Sequence, residues 1–205
     1  TLEALHGPVL SGRVLLGVPD DYAGAYLTPV LRSYANRHAG VEIELHCEQS
    51  TSLIPKVQRG EIDVALISRD KATRGTLLFQ EPLVWVGSPQ FEVWRRDPLP
   101  IAVYEATSLA RRAVIAALSA QRRAYRVVYN SSSLAGQLAA VESGLALAVL
   151  TRCSAPAHLS VLGERQGLPA LEGMDVAVYR SQASRHLPAV DALFEQMVQT
   201  LGKAS

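Results

Sequence analysis

Polar side chains gather at five places where an apolar, strand-like run of this 205-residue sequence ends. In open α/β sheets, ligands bind beyond the carboxyl ends of the strands, so hydroxyl, amide, carboxylate and guanidinium groups at these places can hold a small molecule. The residues selected by this rule are Pro19, Asp20, Asp21, Tyr22, Ser50, Thr51, Ser52, Ser68, Arg69, Asn130, Ser131, Ser132, Thr151 and Cys153. We predict that these residues contact a small-molecule ligand.

Two of the five places open predicted helices. A serine or threonine hydroxyl can cap a helix, and the unpaired amides at a helix start also attract a carboxylate or another acceptor. For Thr51 and Ser52 the two roles are compatible, since one hydroxyl can cap the helix while its neighbour contacts the ligand. Ser133 is the expected cap of the second helix, which leaves Ser131 or Ser132 for ligand contact.

Asp20 and Asp21 place two adjacent carboxylates at the predicted site. Carboxylates repel a polyanion, by an amount that grows with burial. If either carboxylate faces the ligand, we expect a neutral, zwitterionic or cationic ligand, or a pocket in which Arg69 or Arg152 compensates. The alternative is that one acid is solvated and the other caps a turn.

The remaining reactive side chains do not indicate catalysis. Cys47 and Cys153 form no Cys-x-x-Cys pair, and a disulfide switch would need their Cα atoms within about 7 Å, so two unrelated thiols are the expectation. The five histidines show no metal-ligand spacing, and there is no glycine-rich nucleotide loop and no GxSxG motif. We therefore predict no catalytic residue, no metal and no cofactor.

Three charged features are expected to serve solubility or structure. The basic pairs at 95–96 and 122–123 flank polar loops, and we interpret them as solvated surface rather than as phosphate contacts. Asp63 lies within a predicted strand, where a structural hydrogen bond is a better explanation than catalysis.

The charges of the sequence nearly cancel, with 20 Lys and Arg against 19 Asp and Glu. A net charge of +1 argues against a chain that holds nucleic acid with its own surface, since phosphate binding depends on clustered basic residues. No apolar stretch approaches the ~20 residues that span a bilayer. The first residues also lack a basic and then apolar leader, so we expect a cytoplasmic protein with no membrane contact.

Strand and helix patterns alternate along the chain. A first round has predicted strands at 13–18, 41–45 and 62–67 and helices at 28–39 and near 53–60, with Thr28 as the cap of the first helix. A second round has strands at 99–103, 125–129 and 145–150 and helices at 108–121 and 133–143, with Gly60 and Gly144 ending a helix in each round. Further strands are predicted at 82–86 and 175–179, and a last helix at 184–201. Repeated β-α-β order predicts an α/β fold of two similar halves with parallel strands.

Five segments in the same order resemble the effector-binding domain of LysR-type transcriptional regulators. They are 12–17 (GRVLLG), 27–43 with its LTPVL and GVEI, 60–67 (GEIDVALI), 81–84 (EPLV) and 141–148 (VESGLALA). The sequence departs from the family pattern at Gly40, Ala146 and Thr151, where Pro, Gly and Pro are usual. Residues 18–23 (VPDDYA) are similar to the LrhA-like subgroup, which includes regulators of motility and virulence genes.

The resemblance implies a type 2 periplasmic-binding-protein fold, in which two Rossmann-like lobes are joined by two crossover strands and a small-molecule effector binds between them. The implied ranges are 1–12 for the end of a linker that includes Leu2, Leu5 and Val9, 13–86 with 180–205 for lobe I, and 87–179 for lobe II. It also implies an N-terminal winged helix-turn-helix that alone contacts DNA, so that this chain resembles the ligand-sensing part of a longer bacterial regulator.

In the family, two such domains pair antiparallel through lobe I, and the full-length proteins form tetramers. The corresponding residues here are Leu27, Val30, Leu31, Tyr34, Glu42 and Glu44, of which the apolar members could instead belong to the core. Two other functions stay open on the sequence alone. One is a solute-binding protein of a transporter, and the other is an enzyme on the same scaffold, because a fold does not determine a function.

Overall fold

The computed structural model describes residues 9–202. Leu2 and Leu5, which the resemblance assigns to a linker, lie outside the described residues, whereas Val9 is described and is exposed. The chain divides into two compact units. Unit 1 runs up to Phe79 and resumes at Val176, and unit 2 is Gln80–Asp175.

Unit 1 is built on a five-stranded mixed sheet. In sheet order its strands are β2 (Val41–His46), β1 (Gly12–Gly17), β3 (Val64–Ser68), β10 (Met174–Arg180) and β4 (Thr76–Glu81). β1 pairs with β2 and β3 in parallel, and β10 pairs with β3 in the antiparallel direction. The central strand β3 is an apolar run that is almost fully buried, as the predicted parallel β-α-β-α-β order requires.

The first helix of unit 1 begins earlier than predicted. Helical backbone starts with α1 (Asp20–Tyr22), widens to a π-helix over Ala23–Leu27 and continues as α2 (Thr28–Arg37). The expectation that Thr28 caps the helix was therefore wrong. Pro29 has no N–H to donate to the carbonyl four residues before it, and the wider π-helical turn lies directly ahead of this break.

The other helices of unit 1 are α3 (Ser50–Gln58) and α6 (Pro188–Leu201). Beyond α3 the chain turns at Gly60, whose φ of +76° is a conformation that glycine adopts without strain. This confirms Gly60 as the stop of that helix. The side chains of Leu53, Val57 and Ile62 are buried in a core cluster against the strands.

Unit 2 is built on a second five-stranded mixed sheet. In sheet order its strands are β7 (Tyr125–Asn130), β6 (Leu99–Val103), β8 (Leu147–Thr151), β5 (Leu83–Gly87) and β9 (Ser160–Leu162). β6 pairs with β7 and β8 in parallel, and β5 pairs with β8 and β9 in the antiparallel direction.

The position of β5 corrects the expected lobe ranges. The motif containing Leu83 and Val84 was assigned to lobe I, but both residues pair with β8 in the sheet of unit 2. The chain therefore enters unit 2 after Phe79 rather than after residue 86, and leaves it after Asp175 rather than after residue 179. Both crossings fall within strands, β4 and β10.

The core of unit 2 fills both faces of its sheet. Alternate residues of β5 divide between two clusters, with Leu83 and Trp85 in one and Val84 and Val86 in the other. This is the period of two that a strand buried on both faces produces. The helices of this unit are α4 (Leu109–Ala120) and α5 (Leu134–Glu142), and α5 is followed by Gly144 at a φ of +71°, as predicted.

Candidate functional site

A relay of hydrogen bonds joins three of the predicted contact segments of unit 1. The Tyr22 hydroxyl and the Ser68 Oγ lie 2.6 Å apart, and the Ser68 amide donates to the Ser50 Oγ at 2.9 Å. Tyr22 and Ser50 are buried. The relay connects the start of α1, the start of α3 and the end of β3, so the structure brings these three predicted residues together.

Pro19, Asp20 and Asp21 form the start of a helix rather than the predicted loop. Pro19 is the N-cap, and its carbonyl accepts from the amides of Tyr22 and Ala23 at 3.0 Å each. Asp20 and Asp21 lie in the first helical turn, where the helix dipole favours negative charge. Both acids are half-buried. Part of their role is therefore to stabilise this helix start.

The pKa of the Cys47 thiol depends on the Asp20 carboxylate. Partial burial raises the pKa of Cys47, and the negative charge of Asp20 raises this pKa further. Cys47 and Cys153 are both free thiols, Cys47 in unit 1 and Cys153 in unit 2.

The start of α3 differs from the predicted capped helix. Gln49 is the N-cap, and no side chain caps this helix. The Gln49 carbonyl accepts from the amides of Ser52 and Leu53 at 2.9 and 3.0 Å. Ser50, Thr51 and Ser52 lie inside the first turn, because the helix begins before the three hydroxyls rather than after them. The capping role is thus wrong, and the Ser50 hydroxyl binds the end of β3 instead.

Arg69 follows β3 and is half-buried. Its Nη1 donates to the Ala72 carbonyl at 2.6 Å, so the guanidinium helps to shape the loop after the strand.

In unit 2, the loop after β7 is closed by its own serines. The Ser133 Oγ accepts from the Gly136 amide at 3.0 Å, which confirms Ser133 as the cap of α5. The Ser131 Oγ accepts from the Ser133 amide at 3.2 Å, and Ser132 is exposed beside it. The Ser131 hydroxyl therefore holds the turn, in addition to any contact with a ligand.

Two side chains that the sequence reasoning missed fix the position of this loop. Arg111 of α4 donates from Nη1 to Asn130 Oδ1 at 2.9 Å and to the Tyr104 carbonyl at 3.0 Å. Gln137 of α5 is fully buried, and its Nε2 donates to the carbonyls of Val103 and Ser131 at 2.8 Å each. Gln137 thus joins the carboxyl end of β6 to the loop after β7.

The Gln137 side chain leaves one buried atom without a hydrogen-bond partner, its Oε1. The orientation of the amide is set by the two carbonyls, since only the NH₂ group can donate to both. A single amide among apolar residues in the sequence LAGQLAAVE was the available signal for this residue.

The last predicted segment, after β8, is anchored by a buried acid. Glu81 is only 3% exposed, and its Oε1 accepts from the Cys153 amide at 2.7 Å. Thr151 is also buried, and its Oγ1 donates to the Ser154 Oγ at 2.9 Å. The structure therefore brings Thr151 and Cys153 together, and it adds Glu81, a residue of the EPLV segment for which the sequence indicated no role.

Asp63 has the structural role that was predicted for it. Its Oδ2 accepts from the Leu15 amide at 2.8 Å, and its Oδ1 accepts from the Ser184 hydroxyl. Within the described range 9–202, no group of three or more His, Cys, Asp or Glu side chains could hold a metal ion. In the same range no helix has the length and apolar character to cross a membrane.

The six predicted interface residues divide by burial. Leu27, Val30 and Tyr34 are buried within unit 1, and the Tyr34 hydroxyl donates to the Ala189 carbonyl at 2.7 Å. Burial raises the pKa of this hydroxyl. These three side chains therefore belong to the core of the unit, because α2 packs on α6.

The other three, Leu31, Glu42 and Glu44, retain exposed surface. Arg13 forms ion pairs with Glu42 at 3.2 Å and with Glu44 at 2.8 Å. Strand β2 is an edge strand of the sheet, and these charges lie on one face of β2 and its neighbour β1.

A family model and similar proteins of known function point to the same protein family. The protein family described as LysR substrate binding domain matches residues 8–202. The HTH-type transcriptional regulator DgdR of Burkholderia cepacia is 36% identical over 190 residues, which are 92% of this chain and 65% of DgdR. The HTH-type transcriptional regulator PecT of Dickeya dadantii (strain 3937) is 26% identical over 163 residues, which are 79% of this chain and 52% of PecT. The chain thus spans less than two thirds of the length of either relative.

Solved structures share the fold. The effector binding domain of QuiR in complex with shikimate has a TM-score of 0.74 at 13% identity, covering 95% of this chain and 99% of that one. The regulatory domain of CcmR from Synechocystis PCC6803 in complex with 2-PG has a TM-score of 0.73 at 18% identity, with the same coverage of 95% and 99%. These likenesses confirm the predicted α/β fold, although the sheet of each unit is mixed where parallel strands were predicted.

Proposed function

This chain belongs to the LysR substrate-binding domain family, and on that premise we propose that it is the ligand-sensing part of a transcriptional regulator. A small-molecule effector binds to the loops at the carboxyl ends of the strands and favours one conformation of the domain. Such coupling requires the effector to have different affinities for the two conformations, because equal affinity would shift nothing.

The observation that carries this proposal is that polar groups at the strand ends of each unit are held in place by hydrogen bonds from other side chains and from the backbone. In unit 1 these are Tyr22, Ser50 and Ser68, which hold one another by hydrogen bonds. In unit 2 the loop of Asn130 and Ser131 is held by buried or half-buried side chains. Binding groups whose positions are fixed before the ligand arrives lose less entropy on binding.

The chemistry of unit 1 favours an effector that is not a polyanion. Asp20 and Asp21 bring two carboxylates to the start of α1, next to the relay of Tyr22. We propose a neutral, zwitterionic or cationic effector, or one whose negative charge is met by Arg69 or Arg152. A carboxylate of a zwitterion would find the uncapped start of α3 favourable.

The partners of the whole protein are also proposals. Both relatives named above are HTH-type regulators that are longer than this chain, so we propose that DNA is contacted by a winged helix-turn-helix outside these 205 residues. We further propose a homodimer through β2 and the exposed face of α2, a tetramer of the full-length protein, a cytoplasmic location and no catalytic activity.

A thermal-shift screen of the chain against a metabolite library tests the ligand-sensing role. One ligand at 100 times its dissociation constant should add about 2.7 kcal/mol to the free energy of unfolding. Tyr22→Phe keeps the ring and removes the hydroxyl of the relay, so the stabilisation by that ligand should fall. Tyr125→Phe is the matched control, since Tyr125 lies at the amino end of β7.

A ligand that stabilises the original chain and both variants equally would contradict the proposed site. A hit from a dicarboxylate panel that still binds after Arg69→Ala and Arg152→Ala are combined would contradict the proposed effector class while leaving the site itself intact.

A further inference from the structure

Two basic pairs that are far apart in the sequence meet in unit 2. Arg123 donates from Nη2 to the carbonyls of Trp94 at 3.0 Å and Arg96 at 3.3 Å. The segment after α4 is thereby tied to the short helical turn before β6. Both basic pairs were interpreted as solvated surface, but these bonds hold the segments that carry them together ahead of β6 and β7.

A cavity of about 510 Å³ opens beside Arg96. Most of its wall comes from residues ahead of or near the amino ends of β6, β7 and β8, which run parallel, and Val128 adds the middle of β7. The cavity therefore lies toward the amino ends of these strands, whereas Asn130 and Thr151 are the last residues of β7 and β8, at their carboxyl ends. The cavity is separate from the proposed effector contacts, and its volume is in the range of small-molecule sites.

The charged wall of the cavity is positive. Two arginines, Arg96 and Arg126, line it together with one acidic residue, Asp97. Arg96 donates from Nη1 to the Gly144 carbonyl at 3.0 Å. Within residues 9–202, neither arginine forms an ion pair, since no carboxylate oxygen lies within 4.0 Å of its guanidinium nitrogens. A guanidinium fork pairs well with a carboxylate or a phosphate, so this wall suits an anion.

The rest of the wall is apolar. Pro98, Pro100, Val128 and Leu145 line it, and Leu145 is 44% exposed. Apolar surface of this kind contributes to affinity only when an apolar group covers it. The arrangement therefore favours an organic anion over an inorganic one.

We propose that unit 2 carries a second ligand site at the amino ends of β6, β7 and β8, which binds a small organic anion. The carboxylate or phosphate of the ligand pairs with Arg126 and Arg96, and its apolar group lies on Leu145 and Val128. This site is independent of the effector contacts proposed above.

The test is a titration of the ¹⁵N-labelled chain with phenylacetate and, separately, phenyl phosphate, followed at the backbone amides of Val128 and Leu145. We expect saturable shifts at these amides for at least one probe, with dissociation constants of about a millimolar. Inorganic phosphate should bind at least about tenfold more weakly, because it leaves the apolar wall uncovered. Which of the two probes binds more tightly identifies the anionic group.

Variants separate the site from non-specific charge attraction. Arg126→Gln should weaken binding by about tenfold, which is the loss expected for one charged hydrogen-bond pair. Asp97→Asn should tighten it by about twofold, since it removes the one carboxylate of the wall. Arg112→Gln is the matched control, because Arg112 is exposed on α4 at the opposite end of the strands, and it should leave binding unchanged.

Three results would overturn the proposal. They are the absence of saturable shifts at Val128 and Leu145, equal losses from Arg126→Gln and Arg112→Gln, and equal affinity for inorganic phosphate and both aromatic probes. Binding of a short DNA duplex that is lost in Arg126→Gln, without binding of either probe, would also overturn it in favour of a nucleic-acid contact. Matching thermal melts of the variants exclude unfolding as the cause of any loss.

Discussion

Asp63 and Leu15 exchange two hydrogen bonds. The Asp63 amide donates to the Leu15 carbonyl at 3.0 Å, and the Leu15 amide donates to the Asp63 side chain at 2.8 Å. The carboxylate thus takes the place of a backbone acceptor where β3 begins beside β1. Its second oxygen accepts from Ser184, which joins the segment before α6 to the same point.

Removing this carboxylate should destabilise the chain. Asp63→Ala leaves the Leu15 amide without its acceptor, and we expect the free energy of unfolding to fall by about 2–4 kcal/mol. Urea denaturation measures the change. Glu172→Gln, at an exposed position, is the control and should alter stability by less than about 0.5 kcal/mol. Equal stability of the two variants would show that the Asp63 bonds contribute nothing.

Gln137→Leu should loosen the loop after β7. Leucine has a similar volume but cannot donate to the Val103 and Ser131 carbonyls, so we expect a loss of about 1–3 kcal/mol in the free energy of unfolding. Faster hydrogen exchange at the Ser131 and Ser133 amides should accompany it. Gln58→Leu, at an exposed helical position, is the matched control. The assignment fails if the exchange rates of the loop are the same in both variants.

Asp20→Asn should make the Cys47 thiol more reactive. The charge of Asp20 raises the pKa of Cys47, so its removal lowers that pKa and increases the thiolate fraction near neutral pH. The measurement is the rate of alkylation by iodoacetamide as a function of pH, resolved by peptide mass spectrometry. The pH profile of Cys47 should move to lower pH while that of Cys153 stays in place. If the pH profile of Cys47 does not move in Asp20→Asn, the charge of Asp20 does not affect the pKa of this thiol.

The ion pair of Asp70 and Arg74 should contribute a small, pH-dependent stability. Arg74 donates to Asp70 from Nε at 2.8 Å and Nη2 at 3.0 Å, and these bonds lower the pKa of Asp70. The contribution is present above the ordinary Asp pKa of ~3.9 and is lost as the pH falls through the lower folded value. Because Asp70 is exposed, Asp70→Asn should cost less than about 1 kcal/mol at neutral pH.

Urea unfolding at pH 7 and near pH 3 tests this sign. The stability difference between the original chain and Asp70→Asn should shrink at the lower pH. Asp97→Asn is the control, because the Asp97 carboxylate is in no ion pair among residues 9–202. Its difference in stability from the original chain should not shrink between pH 7 and pH 3. A deficit of Asp70→Asn that grows as the pH falls would contradict the pairing.

The fold was predictable from the sequence to the extent that local pattern determines it. β6 was predicted at the residues where it occurs, because Leu99 follows a polar segment and the apolar run ends at Val103. Ser133 and Gly144 were also predicted in their roles, since a cap and a left-handed glycine depend on their immediate neighbours. The structural role of Asp63 followed from its position in an otherwise apolar predicted strand, although β3 itself begins one residue later, at Val64.

The features that were missed depend on partners distant in the chain. Glu81 accepts a hydrogen bond from Cys153, and Gln137 donates one to Val103. No local sequence pattern predicts these partners, because they lie far away along the chain. The meeting of the Arg96 and Arg123 segments likewise requires the sheet order. The early helix start at Asp20 was missed because Thr28 and Pro29 are residues typical of a helix start. In the structure, a π-helical turn before them connects the helix to residues that begin at Asp20.

The insertion of unit 2 between the two parts of unit 1 has a consequence for synthesis on the ribosome. Ser68 of β3 pairs with Val176 of β10, so β3 emerges long before its antiparallel neighbour. All the strands of the second sheet lie within Gln80–Asp175 and are available in the meantime. An apolar strand with an open edge is a site of wrong pairing, so the nascent chain holds β3 exposed while unit 2 is being made. Chaperone demand should therefore be highest before residue 176 has left the exit tunnel.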